Sequence, residues 1–243
     1  MTLTPGGHRS AIVDSDADAS ESADASESGD VVGIAERVAQ RRAFLSLVAR
    51  RQRPGSGSNA AALMNGKRLT MRWWKDIHAA LRGIPHAIGG GVAANQYRPP
   101  RHTADVDFMV RLRDLPAAED AARKAGWKWT ATLRLEGGLK GSAWERDGNE
   151  LDLIGVPGAL GHDAINAARR NYRNGLPYLT LRHVVALKMI PNRTQALADI
   201  ATMLGHASPA QIRSVRAAVK RFLGPDDVAD LDQMVEMGRL ERG

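Results

Sequence analysis

The chain has 243 residues, 43% of them hydrophobic and 25% charged, with a formal charge of +7. These are the proportions of a globular protein with one moderate or two small domains, and they exclude a fibrous, collagen-like or fully disordered chain. There is no cysteine, which excludes a disulfide scaffold, a cysteine zinc finger, a thiolate iron–sulfur site and a Cys nucleophile.

The charge is unevenly spread along the chain. Residues 1–30 carry a net −6, which leaves +13 on the rest. The run from Asp14 to Asp30 is small, polar and acidic without an aromatic. It has too little apolar surface to offset its ordering entropy, so residues 1–30 are expected to be a disordered acidic tail. Such a tail serves as a solubiliser or as a nucleic-acid mimic laid across the basic body. Residues 31–59 read as a basic amphipathic helix followed by a Gly/Ser linker. Val31, Ile34, Ala35, Val38, Leu45 and Val48 form its apolar stripe, and Arg37, Arg41, Arg42, Arg50, Arg51 and Arg53 its basic face. That helix either binds RNA, a partner or an anionic surface, or docks on the main domain. No segment approaches the ~18–20 apolar residues of a membrane span. The N-terminus lacks the basic-then-apolar pattern of a secretory signal, so a cytoplasmic protein without a membrane partner is expected.

Two further units follow, a core over 64–175 and a helical C-terminal region over 176–243. The periodicity predicts a helix over 70–81, a strand over 84–88 broken by Gly89-Gly90-Gly91, and a short helix over 92–96. Next come a strand over 105–110, a helix over 116–124 and a strand over 127–135. A hairpin of 142–146 with 150–154 turns at Asp147-Gly148. Helices are expected over 181–190, 195–204, 209–223 and 226–239. The fold class is α+β, a small mixed sheet flanked by helices and followed by a helical C-terminal region.

Three pieces of this chain carry chemistry. Gly89, Gly90 and Gly91 join a strand end to a helix start, where a ligand can approach the backbone and a phosphate is attracted. Asp105 and Asp107 flank Val106 on a strand, so both carboxylates share one face while Val106, Phe108 and Val110 face the core. Two adjacent acids at the head of an apolar strand make sense around a divalent cation. Asp152, between Leu151 and Leu153, joins them if its strand is the neighbour, and three carboxylates suit one or two Mg²⁺ ions.

Ile88-Gly89-Gly90, then Arg101-His102-Thr103-Ala104-Asp105-Val106-Asp107, then Asp152, resemble the nucleotidyltransferase superfamily with the DNA-polymerase-β-like fold, especially its AbiEii-type toxins of type IV toxin–antitoxin systems. Ala186-Leu187-Lys188, Arg193 and Asp199 match the tail of that pattern, and the resemblance spans about 77–204. It implies transfer of a nucleoside monophosphate from an NTP to a hydroxyl, with pyrophosphate released. Asp105, Asp107 and Asp152 would then be the metal and catalytic residues for Mg²⁺, or Mn²⁺ in its place. Gly89, Gly90, Gly91, Thr103, Lys188 and Arg193 would bind the nucleotide. The implied partners are an NTP, a polyanionic acceptor such as RNA or tRNA, or a protein, and an antitoxin. An aminoglycoside-type enzyme and a noncatalytic nucleic-acid-binding module are the alternatives. Where the family often has Lys-Asp, this chain has Gln195-Ala196.

The remaining candidates have bland readings. His86, His102, His162, His183 and His206 lack metal-ligand spacing and are expected on the surface or in loops. The five tryptophans are expected to pack, although Trp127 and Trp129 on one strand face would also make a stacking platform. Arg169, Arg170 and Arg173 beside Tyr172 form a basic cluster, either a solvated face or an RNA contact.

Overall fold

The computed structural model describes residues 38–39, 41–42, 72–101, 103, 105–191 and 193–242. The expected acidic tail and the Gly/Ser linker lie outside these residues, as does His102. Helix α1 (Arg72–Ala80) buries Trp73 and Ile77, with Leu81 continuing the same four-residue stripe. Gly83, at φ +88°, turns the chain out of it.

Five strands form one sheet in the order β1-β2-β5-β4-β3. They are β1 (His86–Ile88), β2 (Asp105–Arg111), β3 (Lys128–Arg134), β4 (Lys140–Arg146) and β5 (Asn149–Val156). β2 and β5 run parallel at its centre and the other pairs are antiparallel. The β4–β5 hairpin turns where expected. Asp147 and Gly148 both have positive φ, 54° and 72°, as a two-residue turn matching the strand twist requires. Val106, Phe108 and Val110 of β2 and Leu151 and Leu153 of β5 are fully buried. Each such side chain contributes ~1.5–3 kcal/mol of burial. Strand alternation then leaves the opposite face of this parallel pair to Asp105, Asp107 and Asp152.

Helix α2 (Gly90–Ala94) follows β1, and α3 (Leu115–Lys124) follows β2 with Leu115, Ala118 and Ala122 buried. Two elements were not foreseen. One is α4 (Gly158–Ala168), and the other is a small hairpin of β6 (Tyr172–Arg173) and β7 (Leu176–Pro177). Gly158 and Gly161 disguise α4 as a loop. Packing explains Gly161, because a Cβ there would overlap the Val156 carbonyl.

The C-terminal region consists of α5 (Leu181–Met189), α6 (Thr194–Gly205), α7 (Pro209–Phe222) and α8 (Pro225–Arg242). α7 opens with a capping box. Ser208 Oγ accepts the Gln211 N–H and Gln211 Oε1 accepts the Ser208 N–H, at 3.3 and 2.8 Å. α6 and α8 meet through glycine. A Cβ on Gly205 would overlap the Gly238 carbonyl, and one on Gly238 the Ala201 carbonyl. Val38, Ala39, Arg41 and Arg42 are helical. Arg41 donates to Asp227 at 2.8 Å with both side chains nearly buried, and Arg42 reaches Asp226 and Asp230 at 3.2 and 3.3 Å. These two arginines therefore serve docking onto α8. Among the described residues, no helix is long and apolar enough to cross a membrane.

Candidate active site

The parallel register sets Asp107 of β2 opposite Asp152 of β5, with Asp105 two residues back on the same face. One carboxylate oxygen from each of the three lies within 4.8 Å of the others. All three side chains are half-buried. Burial and the charges of Asp105 and Asp152 push the Asp107 carboxyl up to about 7. Burial, with Asp105 and Glu150 nearby, pushes Asp152 up to about 6. The three acids lack enough local positive charge to ionise together freely. The donors are all hard carboxylate oxygens, and that set suits Mg²⁺ or Mn²⁺.

The glycine turn is built against these acids. Gly90 has φ +53°, and a Cβ on it would overlap the Asp107 carboxylate. The Gly89 N–H donates to the Asp107 carbonyl at 2.9 Å, and the Gly91 N–H faces the Asp107 carboxylate. A Cβ on Gly91 would stand 3.0 Å from Thr103 Oγ1. Thr103 is buried, and its hydroxyl donates to Asp105 Oδ1 at 2.8 Å, fixing that carboxylate. Two motifs that are weak separately in the sequence are thus one packed unit.

Behind the acids lies Asp199 of α6, with no solvent exposure. It accepts from Lys188 at 2.9 Å, from Arg101 at 2.9 and 3.0 Å and from Gln195 at 3.1 Å, and it pairs with Arg98 at 3.0 Å. Burial alone would raise its carboxyl. The Arg101 hydrogen bond and the Lys188 and Arg98 charges prevail and hold it at about 2. Asp199 in turn fixes Lys188 and Arg101 beside the triad, and Lys188 opposes the rise at Asp107. Gln195, standing where a lysine was expected, joins this network. Arg98 and Arg101 as partners of Asp199 escape sequence reading, because about a hundred residues separate them and no local pattern links them.

These groups open into a cleft of about 490 Å³. Gly90, Gly91, Thr103, the three acids, Lys188 and Arg193 all line it, so eight of the nine candidate residues converge, while Gly89 is buried beneath them. Arg193, at the start of α6, is exposed. The opposite wall is apolar, with Leu133, Leu135, Leu139 and Leu187, and Arg134 stands at its edge. That wall gives no sequence signal, because its residues read as ordinary strand and turn positions.

Several expectations change. His183 is fully buried, not on the surface. Its Nδ1 lies 2.7 Å from the Thr180 hydroxyl and its Nε2 2.9 Å from Asp163, tying α5 to α4. His86 is also buried, because it lies on β1. Trp127 and Trp129 do not share an exposed face. Trp127 precedes β3 and is 2% exposed, packed 5.3 Å from Trp73 under the Arg146 guanidinium, whereas Trp129 is 56% exposed. His162, His206, Arg169, Arg170 and Arg173 are exposed, as the bland reading holds.

No protein-family model matches the chain, and no curated protein matches it. Among solved structures it matches the antibiotic-resistance factor ANT(2'')-Ia in solution, at 16% identity over 70% of this chain and 90% of that one, with a TM-score of 0.40. The same protein in complex with adenylyl-2"-tobramycin matches at 20% identity over 71% and 98%, with a TM-score of 0.39. A tRNA nucleotidyltransferase complexed with a primer tRNA and an ATP analog matches at 16% identity over 69% and 60%, with a TM-score of 0.29. The solved structures that the chain matches thus include nucleotidyltransferases. At these identities and scores they bear on neither its substrate nor its site residues.

Proposed function

We propose that the chain is a minimal nucleotidyltransferase, of the kind its AbiEii-type resemblance implies, moving a nucleoside monophosphate from an NTP to an acceptor hydroxyl. The observation that carries this reading is the carboxylate triad on the Asp107–Asp152 register pair, opening into a cleft with the glycine turn and Lys188. Asp105, Asp107 and Asp152 would hold Mg²⁺ or Mn²⁺. When bound, the metal supplies positive charge at the reacting phosphate.

The chain's own residues do the rest. Asp152 accepts the proton of the attacking hydroxyl, from its place beside Asp107 at the mouth of the cleft. The acceptor oxygen bonds to the α-phosphorus as the bond from that phosphorus to the pyrophosphate oxygen breaks. Lys188 and Arg193 offer positive charge to the departing pyrophosphate, with Lys188 held in place by Asp199. Thr103 orients Asp105. Gly89 and Gly91 direct their N–H groups to Asp107, so Gly90 is the glycine assigned to the triphosphate.

The acceptor is read as a polyanion such as RNA or tRNA, because the chain beyond residue 30 carries +13. The test mixes the protein with each α-labelled NTP, Mg²⁺ and total RNA, beside parallel reactions with total protein and with aminoglycosides. Label on RNA from wild type, absent with chelator and in Asp107→Ala, is expected. Label on another acceptor would keep the chemistry and change the substrate. No label and no NTP binding would leave a noncatalytic module. A toxin role and an antitoxin partner rest on the same resemblance, and growth arrest on expression should disappear in Asp107→Ala.

A further inference from the structure

We propose that the chain holds single-stranded RNA in a groove on the sheet face opposite the acidic triad, with Trp129 as the stacking platform and Arg134 and Lys140 against phosphates. The groove, about 740 Å³, lies between α3 and the β3–β4 hairpin. Its helix wall is the four-residue stripe Leu115, Glu119 and Arg123. Its sheet wall follows from a bulge between Trp129 and Ala131. Simple alternation would send Trp129 and Thr132 to opposite faces. The extra residue instead pairs Trp129 with Trp144, Thr132 with Ser142 and Arg134 with Lys140, so all of these share one face.

A singly exposed aromatic is ordinary, and three further observations give this one meaning. Trp129 is the most exposed of the large apolar side chains described. The groove is positive. Among the described residues Arg134 and Lys140 have no ion-pair partner, Arg123 lies 5.7 Å above the Trp144 ring, and the groove's one acid, Glu119, accepts the Ser142 hydroxyl at 2.7 Å. The groove is also continuous with the cleft. Leu133, Arg134, Leu135 and Leu139 line both, so the β3–β4 turn is the shared rim. From Trp129 to Leu133 and Arg134 of that rim is ~13–16 Å of strand, a span of a few nucleotides. An exposed indole takes an unpaired base of any identity, and free cations track a backbone.

This deepens the transfer reading and rests on it only for RNA as the acceptor class. Binding is therefore measured without nucleotide or metal, by anisotropy of a fluorescein-labelled oligouridylate of about 12 nucleotides on the full chain. Trp129→Ala should lower affinity about tenfold, while Trp129→Phe stays within about threefold, since a ring remains to stack. Arg134→Ala with Lys140→Ala should flatten the log–log salt dependence by about 1.4. Equal binding by wild type and Trp129→Ala would overturn the proposal, as would equal affinity for duplex RNA. Self-association in sedimentation that Trp129→Ala abolishes would assign the groove to a second copy and also overturn it. Transfer to RNA that ignores Trp129 would remove the groove and keep the enzyme. RNA binding that depends on Trp129 without any transfer would do the reverse.

Discussion

A carboxylate cut off from water survives as an anion only where cations surround it, and Asp199 has Arg98, Arg101 and Lys188. Asp199→Asn removes the common partner of three cations. It should destabilise the fold by about 3–5 kcal/mol in denaturant melts and lower turnover by loosening Lys188. The same carboxyl makes the fold acid-sensitive. Its folded pKa of about 2 lies below the ordinary value of 3.8, so its contribution is full above pH 4 and is lost as pH falls from there toward 2. Wild type should lose about 2 kcal/mol across that window, and an Asp199→Asn melt series should lack that component. At the glycine turn the constraint is steric. Gly90→Ala drives a methyl into Asp107 at a positive φ, and it should abolish metal binding by titration calorimetry while the circular dichroism spectrum stays close to wild type.

Elements are positioned by contacts that their own sequences do not announce. α6 and α8 approach as closely as they do because Gly205 and Gly238 present bare backbone. Gly238→Ala should therefore cost about 1–3 kcal/mol of stability, far more than an exposed helical glycine-to-alanine change, which is normally favourable. β1 and α1 are joined by a histidine pair. The His86 Nδ1–H donates to the Ile84 carbonyl at 2.6 Å, so its bare Nε2 accepts from His78 Nδ1 at 2.6 Å. Burial, aided by the His78 charge and opposed by the hydrogen bond to Ile84, holds His86 at about 4, below its usual 6.5. A folded pKa below the unfolded one means stability falls as pH drops from 6.5 toward 4, by up to about 3 kcal/mol. Thermal melts across that range should show the loss, and His86→Gln should flatten it. Most elements were legible: the helices of the C-terminal region from their periodicity, β2 from its alternation, and the β4–β5 turn from Asp-Gly. α4 was not, because Gly161 answers to the Val156 carbonyl and Gly158 to a positive φ, and neither to helix propensity. The sidedness of β3 was not legible either, since a bulge overrides period-two reasoning.

For the molecule as a whole, charge distribution is the governing quantity. Residues 1–30 carry −6 against +13 on the remainder. Deleting them should tighten RNA binding and steepen its salt dependence in the anisotropy assay. If affinity and slope both stay put, those residues are a solubiliser only. The candidate site depends on the whole fold in the same way. Its acids come from two strands about fifty residues apart, its cations from α5, α6 and the loop before β2, and its apolar wall from the edge of the sheet.

The sequence by itself determined which residues were candidates, because strand alternation puts Asp105 and Asp107 on one face and because apolar flanks mark Asp152 as a strand acid. It also determined the α+β class and the basic character of the chain beyond residue 30. Only the tertiary structure decided that β2 and β5 are neighbours in a register that sets Asp107 against Asp152. It alone showed that the glycines yield to carboxylates, that Asp199 gathers three cations, and that Trp127 is core while Trp129 faces solvent. Periodicity is a local property of the chain, whereas pairing, burial and charge compensation are set by residues distant in sequence.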